Sequence, residues 1–250
     1  MKEKTLGERM KEYELVTDTK LINKLPVVIR LDGRAFHTFT KGFKKPFDDT
    51  LNNIMGKTML FLCENITNCI FGYTQSDEIT LVLYNPKIDS EPWFDNRLEK
   101  IVSTSASLAT LMFNKLLLDV QDINPNKLFK ATFDARAFNL PLFEVVNNII
   151  WRQQDAVKNS INSVAQANFS HKQLQGKNGS QMQDMLMLEK GVNWNDTPTK
   201  YKRGMACIRK LTDVETPNGI IKRNKWVIDE EMPIITQNRE YVENLLYKEN

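Results

Sequence analysis

Apolar and polar positions along the chain follow two rhythms, a period near 3.6 and a period of 2, and each change of rhythm falls on a turn-forming residue. Residues 25–31, Leu-Pro-Val-Val-Ile-Arg-Leu, are apolar and β-branched and stop at Asp32-Gly33. That pair commonly ends a strand. Upstream, Leu6, Met10 and Tyr13 recur at helical spacing, which predicts a short amphipathic helix packed across a sheet. Residues 38–46 read as a loop with three lysines. Asp48 or Asp49 then caps a helix whose Leu51, Ile54, Met55, Leu62 and Ile66 share one face.

Two further strands, residues 69–73 and 78–84, flank the tight connection Gln75-Ser76-Asp77. Leu98, Ile101, Val102, Ser105, Leu108, Ala109 and Met112 predict a helix that ends before Asn124-Pro125. Residues 128–140 alternate Phe129, Ala131, Phe133, Ala135 and Ala137 with polar side chains, as a half-buried strand does. The order is strand, helix, strand, strand, helix, strand. This is the βαββαβ order of an α+β, ferredoxin-like fold, which is also the catalytic palm of nucleic-acid polymerases and nucleotide cyclases.

Pro141 marks a boundary between a palm-like region, residues 1–140, and a C-terminal region, residues 141–250. In the second region Val146, Ile149, Ile150, Gln153, Ala156, Val157, Ile161, Val164 and Ala165 predict a helix of roughly seven turns. A Met-rich helix over residues 181–190 follows. Residues 204–214 and 220–229 flank Thr216-Pro217-Asn218-Gly219, a hairpin signal, and a polar helix begins near Asn238.

Composition narrows the class. The chain has 250 residues, 41% apolar and 26% charged, with a net charge of +3. That charge alone does not specify a nucleic-acid partner, and the lysine and arginine clusters at 41–45, 200–203 and 222–225 are first of all solvated faces. No run looks long enough to cross a bilayer and no basic-then-apolar leader follows Met1, so a cytoplasmic protein without membrane contact is expected. Cys63, Cys69 and Cys207 show neither zinc-site spacing nor a disulfide framework, and suit a reducing compartment.

The chemistry gathers at strand ends. Asp32 and Asp77 meet if their strands pair, and two carboxylates with the Gly33 carbonyl suit Mg²⁺, whose other positions go to phosphate and water. Glycine there lets a backbone carbonyl approach an ion closely. Each motif alone is more often a turn, and only their co-placement favours a site. Backbone N–H groups from Arg34 to His37, the Lys45 ammonium and the Ser76 hydroxyl suit a triphosphate. His37 reads equally as a nucleotide contact or a satisfied loop histidine. Asp134 shares a strand face with Arg136 and reads as its structural partner.

Arg30-Leu31-Asp32-Gly33-Arg34-Ala35-Phe36-His37, Lys45-Pro46-Phe47-Asp48 and Gly72-Tyr73-Thr74-Gln75-Ser76-Asp77-Glu78 together resemble the tRNA(His) guanylyltransferase family. The resemblance continues through Phe133-Asp134-Ala135-Arg136, Trp151-Arg152-Gln153-Gln154-Asp155, Asn193-Trp194-Asn195-Asp196 and Tyr201-Lys202-Arg203-Gly204. It implies a nucleotidyltransferase that adds nucleotides to the 5′ end of tRNA in the 3′ to 5′ direction, after ATP or GTP activates a 5′-monophosphate. It further implies two Mg²⁺ on Asp32, the Gly33 carbonyl and Asp77, with Glu78 as an acidic neighbour and catalytic candidate. By the same resemblance Arg30, Arg34, Ala35, Phe36, His37, Lys45, Asp48 and Ser76 hold the nucleoside triphosphate. Arg152, Asp155, Lys158, Asn159, Lys202 and Arg203 fall in segments tied to tRNA binding or activation, and relatives assemble as homotetramers.

One departure is informative. Eukaryotic members carry a histidine two residues after the aspartate of the long helix, followed by Ile-Asn-Asn-Leu-Tyr-Asn, whereas this chain reads Asp155-Ala156-Val157-Lys158-Asn159-Ser160-Ile161. Lys202-Arg203 likewise replaces their usual Arg-Lys. The chain therefore looks more like the bacterial, archaeal and phage-type relatives, which implies template-dependent 5′-end addition or repair in preference to untemplated G addition to tRNA(His). A palm-type nucleotide cyclase and a non-catalytic RNA-binding module remain as alternatives. The module predicts a basic-Gly-aromatic strand, and residues 78–84 are acidic then aliphatic instead.

Overall fold

The computed structural model describes residues 4–216 and 219–247. Its centre is a six-stranded antiparallel sheet of β1 (Val27–Gly33), β2 (Cys69–Gln75), β3 (Glu78–Leu83), β4 (Phe133–Asn139), β5 (Met205–Thr216) and β6 (Gly219–Asp229), in the order β4-β1-β3-β2-β5-β6. Strand alternation sends Val27, Ile29 and Leu31 to one face and Val28, Arg30 and Asp32 to the other. The first face is covered by α3 (Asp49–Asn65) and α4 (Leu98–Leu118), whose Met55, Met59, Leu62, Ile101, Phe113 and Leu117 pack against Ile29, Leu31, Ile79 and Leu81. Full burial of each such side chain contributes about 2 kcal/mol.

The second face receives the N-terminal half of α5 (Val145–Asn168) and α9 (Glu240–Leu246), with Val145, Val146, Ile149, Val242 and Leu246 on Phe71, Tyr73, Val82 and Ala206. The far half of α5 packs on α6 (His171–Leu174) and α7 (Gly179–Lys190) through Ile161, Val164, Ala165, Leu174 and Leu186. Two short helices complete the set, α2 (Phe36–Phe39), which runs into the start of the expected lysine loop, and α8 (Thr199–Arg203). The first helix, α1 (Leu6–Leu15), closes its N-terminus with a Thr5/Glu8 capping box.

Three expectations change. α1 does not pack across the sheet: none of its residues is buried, because both sheet faces are already occupied by α3, α4, α5 and α9. The strand expected from residue 128 starts at Phe133, since Phe129 has a φ of 59° and interrupts the extended run. α4 does pass the length and composition test for a membrane span, with a mean hydropathy of 1.4. It is nonetheless packed on the sheet, with Ile101, Ser105, Ala109, Phe113 and Leu117 buried.

The boundary expected at Pro141 is crossed by the sheet itself, because β5 pairs with β2 at Gly72↔Cys207, Tyr73↔Ala206 and Thr74↔Met205. The hairpin turn expected at Pro217-Asn218 lies outside the described residues. Gly204 makes the turn from α8 into β5 at a φ of 82°, and a Cβ there would sit 2.4 Å from the Thr74 carbonyl oxygen. Gly204→Ala is therefore expected to destabilise the fold by on the order of 3 kcal/mol in chemical denaturation. A loss below about 1 kcal/mol, within the range of ordinary substitutions, would show that the strand start relaxes around the methyl group.

Candidate active site at the end of the sheet

Asp32 is the penultimate residue of β1, flanked by Glu78 on β3 and Asp134 on β4 in direct register. The two-residue turn Ser76-Asp77 swings the next carboxylate to the same end, and the Gly33 N–H donates to the Asp77 carbonyl at 3.1 Å. Ser76 takes a φ of 52° in that turn and its hydroxyl donates to Asp77 Oδ1 at 3.0 Å. Gly33 has a packing reason as well: a Cβ would lie 2.4 Å from the Phe36 ring.

Three acids in this corner are held above the usual carboxylate range. Burial raises Asp77, with a further push from Asp32, while the Ser76 hydrogen bond pulls it down. Burial also raises Asp32, aided by the charge of Asp134 and opposed by Arg136, Arg30 and Arg152. Glu78 is raised by burial and drawn back mainly by Arg152. A corner of partly desolvated acids is short of positive charge, which suits a cation. No cluster of three or more His, Cys, Asp or Glu side chains able to hold a metal occurs among the described residues. Two carboxylates, a main-chain oxygen and substrate phosphate fit a hard oxygen-seeking ion such as Mg²⁺, which needs few protein ligands.

Beside Asp77 opens a cavity of about 370 Å³, within the range that takes a small ligand. Of the expected nucleotide residues it gathers Phe36, His37, Lys45, Asp48 and Ser76, and of the expected RNA residues Asn159. Lys45 is exposed at its mouth. His37 is exposed too, its Nε2 3.0 Å from the Thr38 hydroxyl. Asp48 caps α3, accepting from the N–H groups of Leu51 at 3.0 Å and Lys44 at 2.8 Å, and so shapes the wall. Phe36 turns inward onto Phe39, Phe113 and Phe133, at 5.0, 5.4 and 5.2 Å between ring centroids.

Arg30, Asp32, Gly33, Arg34, Ala35 and Glu78 lie outside the cavity lining. The expected run of free amides from Arg34 is shortened, because the Arg34 N–H donates to the Thr132 carbonyl at 2.9 Å; the run begins at Ala35, whose φ is 54°.

The expected RNA-binding residues divide. Arg152 is buried, with Nη1 donating to Glu78 at 3.0 Å and pairing with Asp155 at 3.5 Å, and its guanidinium carbon lies 3.5 Å from the Trp151 ring centroid. Lys202 is also buried, donates to the Asn195 carbonyl at 2.5 Å and lies over Trp194. Both cations are spent on internal partners, so their role is to hold neighbouring elements in place. Lys158 and Asn159 are exposed, Asn159 sits 3.4 Å from Asp155, and half-buried Arg203 accepts the Tyr73 hydroxyl on its carbonyl at 2.6 Å. Asp134 lies 3.7 Å from Arg136 while also raising Asp32, so it has both a partner and an effect on the corner.

Sequence reasoning missed the opposite wall. Phe47 and Tyr201 stack at 4.5 Å and 6° over the cavity, and the Tyr201 hydroxyl donates to Asp49. Burial and that carboxylate push the Tyr201 phenol far up. Lys200 bridges Glu230 at 3.2 Å and Asp49 at 3.7 Å on the same side. Both Phe47 and Tyr201 stand in motifs already singled out, but attention to charge passed over the aromatic positions.

Residues 7–141 match the family model described as Thg1, tRNAHis guanylyltransferase. A solved bacterial tRNA(His) guanylyltransferase (Thg1)-like protein in complex with ATP is 45% identical, with a TM-score of 0.87 over 98% of this chain and 100% of that one. A bacterial Thg1-like protein in complex with GTP is 44% identical, with a TM-score of 0.83 and the same coverage. The tRNA(His) guanylyltransferase of Schizosaccharomyces pombe is 29% identical, over 85% of this chain and 83% of its own length.

The raised acids predict a pH signature. A carboxyl whose folded pKa exceeds its unfolded value costs stability in full above the folded pKa, and the cost vanishes as pH falls below the unfolded value near 3.8. Without divalent metal, Asp77→Asn is expected to raise the thermal midpoint at about pH 7 by roughly 3 °C, as about 1 kcal/mol does in a chain of this size. The gain should shrink toward about pH 4. Melts with a pH-independent difference, or with Asp77→Asn less stable at neutral pH, would contradict this account of the corner.

Proposed function

The chain belongs to the tRNA(His) guanylyltransferase family, and from that premise we propose that it is a nucleotidyltransferase extending tRNA 5′ ends in the 3′ to 5′ direction at the Asp32–Asp77 corner. The observation that carries the reading is the juxtaposition of two partly desolvated carboxyls with a nucleotide-sized cavity rimmed by Lys45 and Ser76. The strand order β4-β1-β3-β2, antiparallel throughout with α3 and α4 on one face, supports reading residues 1–140 as a ferredoxin-like polymerase palm. Residues 141–250 then serve as its C-terminal RNA-facing region. The homotetramer belongs to the same reading, and the exposed apolar side of α1 offers surface for it.

In this mechanism Asp32, Asp77 and the Gly33 carbonyl would hold two Mg²⁺. Bound there, such ions supply charge neutralisation for the phosphates and a lowered pKa for the attacking hydroxyl. The cavity takes ATP or GTP, with Lys45 and the amides of Phe36 and His37 on its phosphates and the Phe47–Tyr201 wall against the nucleoside. Activation joins the RNA 5′-monophosphate to the α-phosphate of the triphosphate and releases pyrophosphate. The 3′-hydroxyl of the incoming nucleotide then attacks the activated 5′ phosphate and releases the nucleoside monophosphate. Arg30 and Arg34 balance the charge that develops, and Glu78 acts through Arg152, which it fixes at 3.0 Å.

Val157 supports templated addition. It occupies the position of the eukaryotic histidine and packs partly into the cluster of α5, α6 and α7, with no side-chain group to donate or accept a proton. The greater identity to bacterial Thg1-like proteins than to the fission-yeast enzyme points the same way.

Purified protein with Mg²⁺, labelled GTP and a tRNA lacking its first nucleotide should yield a product one nucleotide longer. Asp32→Ala and Asp77→Ala should each lower that rate by about a hundred- to a thousandfold, the scale for loss of a group that organises transition-state charge. An unextended tRNA, or extension undiminished in both variants, would overturn the reading. Equal extension of tRNAs with and without an unpaired template base would overturn templated addition alone.

A further inference from the structure

Trp151 sits on α5 outside the buried stripe formed by Ile149, Arg152, Gln153 and Ala156, and the residue is 52% exposed. A single exposed apolar side chain is ordinary on a protein surface, and what distinguishes this indole is the pair of arginines against its ring. The Arg152 guanidinium carbon lies 3.5 Å from its ring centroid and that of Arg30 lies 5.6 Å away. Arg152 is in turn clamped by Glu78 at 3.0 Å and Asp155 at 3.5 Å, and it keeps this stacked pose although its buried Nε finds no partner.

The indole is tied to the reaction centre by strand geometry. Glu78 is the cross-strand partner of Asp32, and Arg30 shares the Asp32 face two residues earlier, opposite Arg136 on β4. From Asp32 outward the surface thus presents a carboxylate, guanidinium groups and an aromatic face. Guanidinium groups suit phosphates, and an immobilised indole beside them suits a base. Trp151 is not part of the cavity lining, so a base resting on it belongs to a molecule other than the cavity nucleotide.

We propose that Trp151 is the stacking platform for the terminal base of the RNA acceptor end, with Arg30 and Arg136 meeting the adjoining phosphates, so that the 5′ phosphate lies over Asp32. The inference rests on the RNA-extending function above. It makes Trp151 a positioning residue for the RNA and leaves the triphosphate site untouched.

The test uses full-length protein and the truncated tRNA. Trp151→Ala should raise the KM for tRNA about tenfold, which corresponds to about 1.4 kcal/mol and lies in the range for one stacked base. Trp151→Phe should stay within about threefold because a benzene ring still stacks, whereas Trp151→Leu should behave like alanine. The KM for GTP and the thermal midpoint should not change in any of them. Binding of tRNA in the absence of triphosphate should quench tryptophan emission in the wild type and quench it less in Trp151→Phe.

A wild type that extends no tRNA defeats the functional reading. A wild type that extends it while alanine and leucine variants keep the normal KM for tRNA defeats the platform. So does a fall in kcat alone, which would mean that Trp151 acts by holding Arg152. Loss of self-association with an unchanged KM would assign the indole to a contact between copies of the chain and also overturn the proposal.

Discussion

Glu78 and Arg152 meet at 3.0 Å inside the protein, and that ion pair joins the chemical end of the sheet to the helix that covers its second face. Glu78 lies beside Asp32 in register, and Arg152 carries the ring of Trp151. Breaking such a buried pair from one side leaves a charge without a partner, at a cost of about 3–5 kcal/mol. The pair therefore does more than add stability: it makes the position of α5 and the position of the acids one constraint.

The same corner shows a consistent imbalance of charge. Asp32, Asp77 and Glu78 are all raised by burial; Arg152 is committed to Glu78, and the other nearby arginines, Arg136 and Arg30, lie against Asp134 and the indole. Lysines that remain in water, such as Lys45, lie at the cavity mouth instead. Acids withdrawn from solvent at a strand end and exposed cations across an opening suit a ligand that brings both divalent metal and phosphate. The aromatic wall of Phe47 and Tyr201 completes the opening with a flat apolar surface, fixed by the Tyr201 hydrogen bond to Asp49 at the start of α3.

The sites proposed for the two substrates do not share a lining. The cavity lies between the Asp48 loop, α5 and α8, and Trp151, which meets Arg30 on the Asp32 face, is not among its lining residues. A polymerase that works toward the 5′ end must hold a triphosphate and a polymer terminus at once. Placing them on separate surfaces near one carboxylate strand end lets each be recognised by its own set of groups.

The sequence by itself determined the strands that end on Asp32-Gly33 and precede Asp77, the helices at 49–65 and 145–168, and the family resemblance of the motifs between them. Those features are local: β-branched runs, turn pairs and 3.6-residue spacing act over a few residues and are written directly in the order of side chains. Only the tertiary structure decided where cations and apolar faces went. Arg152 and Lys202 read as RNA-facing cations and are buried on Glu78 and Asn195, α1 reads as packed and is exposed, and Tyr201, which reads only as part of a motif, stacks on Phe47 at the cavity wall. A long side chain can serve water, phosphate or a buried partner with equal local propensity. The choice is made by which elements the sheet brings within about 4 Å of it, the reach of an ion pair, and no local pattern records that distance.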